Sequence, residues 1–220
     1  MVIAMVSPTH PLPAEPAAHA AIELIRSGAM VPQRCHGSLE SITDSERRAL
    51  RPIGMTAHEV AVLTGALLTE LFSVPGICIF QGVRSTNAEM PRIPHAISAG
   101  RHIVLVESVA WPPGQYVVTA GGRICCDGAY IGQSMHPLMN AVRHWREILP
   151  AGHRVKGLVV VHPAAEGCLG LPRAGRGDIV WAHADEAVDE IRTYLPRGRQ
   201  LASISAVAAL ITATAEEENR

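Results

Sequence analysis

Apolar positions recur at helical spacing in MTAHEVAVLTGALLTELF, from Met55, where Val60, Leu63, Leu67, Leu68 and Leu71 fall on one face. Thr56 precedes this run and Glu59 follows it by three residues, a capping-box spacing that predicts the clearest helix of the chain. HIVLVESVAW carries a continuous apolar run, Ile103 to Val106, and predicts a buried strand, as do ICIFQGV and RVKGLVVVHP. RIPHAIS and HIVLVES flank Gly100 and predict a hairpin. GQYVVT and RICC flank Gly121 and Gly122 and predict a second one. HPLMNAVRHWREILP sets Leu138, Val142, Trp145 and Leu149 along one side of an amphipathic helix. DIVWAHA reads as a shorter strand, ADEAVDEIRTYL as a helix starting near Asp185, and a last helix starts at about Ser203. Upstream, AAIELIRSGAM has helical spacing at Ile22, Leu24 and Ile25. SITDSERRAL, with Glu46 behind Thr43, predicts a short capped helix.

Helix, hairpin strands, helix, strand, strand, helix is the order of an α/β (α+β) layered domain, with a mixed central sheet flanked by helices. The pattern divides the chain into a Pro/Ala-rich extension with short helices over residues 1–53, a main domain over 54–195, and a C-terminal helix with an acidic tail over 196–220. No strand–helix alternation of the Rossmann kind is present, and there is no internal repeat.

Composition narrows the function classes. A length of 220 residues supports one good core, and 48% apolar residues with 18% charged residues is a globular balance. A net charge of −1 provides no general attraction to nucleic acid or anionic lipid, so any such contact needs a local patch. Five cysteines without a CxxC pair read as reduced thiols and predict a cytoplasmic protein. The apolar run AVAALITATA is too short to span a bilayer, so no membrane partner is expected. Basic residues are almost all arginine, Lys156 being the single lysine, a bias that suggests a GC-rich bacterial source.

Four motifs then occur in one order: His58-Glu59 heading the first helix, Ile93-Pro94-His95 on a strand, Val106-Glu107-Ser108 with Trp111 at the end of the next strand, and HPLMNAVRH on the later helix. Over roughly Gly54 to Leu195 this set resembles the nuclease-related domain family, a branch of the PD-(D/E)xK restriction-endonuclease-like superfamily. The resemblance implies a restriction-endonuclease-like core in which carboxylates hold Mg²⁺ or Mn²⁺ at a scissile phosphate and a lysine orients the attacking water. Carried over position by position, Glu59 takes the helix carboxylate and Glu107 the strand-end carboxylate. Pro94 stands where the family has aspartate, and Val109 where it has lysine.

With two of four positions kept, the resemblance implies a degenerate nuclease: catalytically impaired, with no metal or a weakly held Mg or Mn on Glu59 and Glu107. Its role would be binding, of nucleic acid or of a protein partner, a second copy included. The alternative is an active metal-dependent nuclease with a rearranged set drawing on Glu89, His95 or Lys156. Arg92 and Arg101 are the candidate nucleic-acid contacts. Simpler structural roles compete with these. Glu59 is already explained as a capping-box residue, and Glu107, after four buried apolar residues, needs either exposure or an arginine partner. His58, His95 and His102 could gather around the glutamates, although their spacing matches no helix metal motif.

Overall fold

The continuous apolar runs form the middle of a six-stranded mixed sheet, as seen in a computed structural model that describes residues 34–45, 48–85, 90–172, 178–196 and 203–215. Its strands are β1 (Cys35–Gly37), β2 (Ile77–Val83), β3 (Ile93–Ala99), β4 (His102–Trp111), β8 (Arg154–Pro163) and β10 (Ile179–His183), in that spatial order. β3 and β4 form the hairpin predicted around Gly100 and β2 pairs antiparallel with β3, whereas β4, β8 and β10 run parallel. With strands paired on both edges and an apolar layer packed on each face, the centre of β4 is buried on both sides, which is why its run is apolar without alternation. Beside this sheet lies a four-stranded one made of β5 (Gly114–Val118), β6 (Arg123–Cys126), β7 (Ala129–Ser134) and the short β9 (Leu169–Gly170).

Among the described residues four helices clothe the large sheet: α1 (Ala57–Leu68), α2 (His136–Ile148), α3 (Ala187–Tyr194) and α4 (Ile204–Thr214). The odd-numbered residues of β4, among them Ile103, Leu105, Val109 and Trp111, pack with Leu138, Val142 and Trp145 of α2, with Leu210 of α4, and with Tyr116 and Ile124 of the small sheet. The even-numbered Val104 and Val106 pack on the other face with Leu68 at the end of α1 and with Val188 and Ile191 of α3. This alternation of strand side chains between two apolar layers decides where every candidate residue of β4 can reach.

Local signals act largely as predicted at α1. Thr56 and Glu59 form a reciprocal capping box, and the helix tightens into a 3₁₀ turn over Thr69–Ser73. SITDSERRAL is a correction: its described residues form no helix. Asp44 instead accepts a hydrogen bond from the Ala57 backbone N–H at 2.8 Å, so this helix-capping residue caps the next helix rather than its own segment. Among the described residues no helix is long and apolar enough to cross a membrane. The predicted helix from Ala20 lies outside the described residues. β1, before the expected main domain, and α4, after it, both pack into the one sheet system.

Candidate functional site

Glu107 sits in the second half of β4 on the α2 face, where its side chain is 12% exposed. A strap formed by residues 48–53 crosses above it. Ser134 N–H donates to the Ala49 carbonyl at 3.0 Å, and Ile53 N–H to the Ala110 carbonyl at 2.7 Å. Gln133 braces Arg51 in both directions, accepting from its N–H at 3.1 Å and donating to its carbonyl at 2.9 Å. The strap delivers Arg48, 4% exposed, onto the carboxylate: Nη1 donates to Glu107 Oε2 at 3.1 Å and Nη2 to the Arg92 carbonyl at 3.0 Å. What remains beside the pair is a cavity of about 20 Å³, lined also by Ser85, Ile93 and Pro137, with room for about one water.

Burial pushes the Glu107 carboxyl up to about 7, against the Arg48 guanidinium and the Ser108 backbone N–H, which draw it down. The desolvation of this acid therefore outweighs its attraction to the arginine, a common outcome for ion pairs taken out of water.

The other positions singled out by the sequence resemblance fall around this pair as follows. Pro94, one residue before the His95–Val106 pair, stands next to Glu107 in the adjoining strand, where it is buried and offers no ligand atom. Val109 is fully buried among apolar side chains on the same face as Glu107. Glu59 lies on α1, which packs against the opposite face of the sheet. It is exposed and engaged with Thr56, whose backbone and hydroxyl hydrogen bonds hold its carboxyl below the usual range. The structure thus places the two glutamates on opposite sides of the sheet.

Nor do the possible substitutes gather at Glu107. Lys156 pairs with Val104 in register and turns to the α3 side, where its Nζ donates to Glu190 at 3.5 Å and lies over the Tyr194 ring. His95 faces α1, fully buried, with its Nε2 against Gly65; burial holds its ring down to about 4. His58 is exposed near the Leu39 carbonyl, and His102 packs edge-on to Tyr194. Glu89 lies outside the described residues. Among the described residues no group of three or more His, Cys, Asp or Glu could hold a metal ion. A Mg²⁺ or Mn²⁺ of the kind the resemblance implies does not fit this donor set. One carboxylate already holds a guanidinium, its neighbour is a proline, and the other carboxylate is across the sheet.

The candidate nucleic-acid contacts diverge as well. Arg92 Nη1 donates to the Gly82 carbonyl at 2.7 Å and to the Ala213 carbonyl at 3.2 Å, and its Nη2 to the Ala215 carbonyl at 3.2 Å. Arg84 Nη2 joins it at Ala215. Both guanidiniums thereby close the C-terminal end of α4, where free carbonyls and the helix dipole favour positive charge. Arg101 is exposed at the β3–β4 turn, beside Gly152.

Arg48 is the residue that sequence reasoning missed. The sequence does say that an acid after four buried apolar residues needs a cation, but any of the arginines could have supplied it. Only the strap selects this one. Comparison with family models, with curated proteins and with solved structures finds no match for the chain.

Proposed function

We propose that this chain is a non-catalytic protein of the nuclease-related type, a scaffold that holds a protein partner rather than cutting nucleic acid. One observation carries the reading: the ion pair of Arg48 with Glu107. It fills with a guanidinium the place where a hydrolytic site of this type needs a metal ion and a phosphate. The buried Pro94 and Val109 support the same conclusion, since neither can bind metal or orient water. A protein partner is favoured over nucleic acid because Arg84 and Arg92 hold the end of α4 and the net charge is −1.

The test is a cleavage and binding assay with the purified chain on supercoiled, linear and single-stranded DNA and on RNA, with Mg²⁺ or Mn²⁺, beside Glu107→Ala. No cleavage by either protein, and no binding that weakens steeply with salt, is the expected result. Cleavage by the wild type that Glu107→Ala abolishes overturns the reading. Salt-sensitive binding without cleavage keeps the non-catalytic part and replaces the protein partner with nucleic acid.

A further inference from the structure

We propose that the junction of α2 with the β5–β6 turn and β10 is a binding site for a soft monovalent metal ion, copper(I), held by Met135, His136 and Met139. This goes beyond the reading of the Glu107 site and does not depend on it.

Local structure brings the three residues together. Met135 precedes α2, and His136 and Met139 lie in its first turn. The Met139 N–H donates to the Met135 carbonyl at 3.0 Å, so the two thioether residues stand one helical turn apart. His136 is within about 100° of Met135 around the helix axis. The Met135 N–H in turn donates to the Gly122 carbonyl at 2.9 Å, which fastens the β5–β6 turn against this end of the helix. At Gly122 φ is +69°, and a Cβ there would lie 2.8 Å from His136 Nε2. The imidazole edge therefore lies over the turn, where only a glycine leaves it room.

Tertiary packing makes a cavity of this junction. It measures about 60 Å³, is lined by Met135, His136, Met139 and Gly122, and is walled by Trp181 of β10. That is far below the roughly 300–1,000 Å³ of sites for organic ligands, and it is ample for one ion. Met135 is buried, Met139 half-buried and His136 exposed, so the donors run from the core to the surface and an ion has a path in.

The chemistry of the lining selects the ion. Among the described residues around the cavity no side chain carries an oxygen, so Mg²⁺, Ca²⁺ and Mn²⁺ find none of the side-chain ligands they prefer. Two thioethers and an imidazole are neutral and soft, a set that favours Cu(I), and thioethers lie outside the His, Cys, Asp and Glu combinations of an ordinary metal site. The positive end of the α2 dipole favours an ion of low charge, and an aromatic wall attracts a cation that has left water.

The test uses the full chain with its accessible thiols alkylated, because Cys35, Cys125, Cys126 and Cys168 would also take a soft metal. Cu(I) is kept reduced with ascorbate in the absence of oxygen, and ¹³C-labelled methionine methyl groups are followed by NMR. Cu(I) should shift the Met135 and Met139 methyl signals together and leave the other methionines in place, while Mg²⁺ shifts neither. His136→Gln alters an exposed residue and Met139→Leu nearly conserves volume, so each should leave Tm unchanged. Each should raise the Cu(I) concentration required by about tenfold or more. Methyl signals that stay in place would overturn the proposal and leave the two methionines as side chains that fill the core. A shift of only one of them, or an affinity that neither variant changes, would overturn it as well.

Discussion

Replacing Arg48 by methionine tests whether a guanidinium holds Glu107 in its charged form. In the wild type, burial raises the Glu107 carboxyl from 4.5 to about 7 despite the arginine. A rise of that size costs the folded protein roughly 3 kcal/mol once the pH exceeds 7, because the unfolded chain releases the proton near 4.5 and the folded one does not. Stability from this group is thus fully present below the unfolded value and is lost as pH rises through 7. Removing Arg48 takes away the term that opposes the rise, so the carboxyl moves higher still. Below about pH 6 Glu107 is protonated in both proteins, and Arg48→Met should lose only the hydrogen bonds, about 1–2 kcal/mol. Above pH 8 the wild type is ionised and paired while the variant carries an unpaired buried acid, and the loss should grow to about 3–5 kcal/mol. Urea unfolding followed by fluorescence of the buried Trp111 and Trp145 at pH 5.5, 7 and 8.5 measures the difference. The double variant Arg48→Met with Glu107→Leu should recover most of the loss at pH 8.5, since exchanging a buried ion pair for apolar residues is often neutral or stabilising. A loss that stays flat from pH 5.5 to 8.5, or a double variant no better than the single one, would refute the reasoning.

Other outcomes follow from geometry already described. Gly65→Ala would bring a Cβ to within 3.1 Å of His95 Nε2, which is held in a fully buried strand; crowding should outweigh the gain in helix propensity and lower stability by about 1 kcal/mol. The same change in a His95→Ala background should be stabilising, and a loss there would show that crowding is not the cause. Arg92→Ala should cost about 1–3 kcal/mol and lower amide protection in α4 before it does so in β4; uniform loss across both would contradict a capping role. Because burial holds His95 down to about 4, it contributes stability that is present above its ordinary 6.5 and lost as pH falls towards 4. His95→Met should therefore show a shallower fall in Tm between pH 6.5 and 4.5 than the wild type, and parallel curves would count against it.

How much of this was legible in the sequence depended on how local each signal was. The capping box at Thr56 and Glu59, the hairpin around Gly100 and the apolar stripe of α2 are short-range patterns, and the structure has all three. β1 and β9 were not legible, because each has only two or three residues and exists only as a partner of another strand. Asp44 illustrates the same limit within one turn: its side chain is a cap, but the helix it caps is decided by the approach of two segments.

At the candidate site the division is sharper. The sequence by itself determined the chemistry available: a proline on the strand beside the acid and a valine two residues after it, a single lysine, and an acid that follows four apolar residues. Tertiary structure alone decided how those residues meet. Alternation along β4 sent Glu107 to the face opposite α1 and Glu59, the register of β8 turned Lys156 to the α3 side, and the strap brought Arg48 across 59 residues of chain to the carboxylate. The physical reason is that a buried charge specifies the sign of its partner but not its address, and the address is fixed by how strands pair and where a loop is fastened.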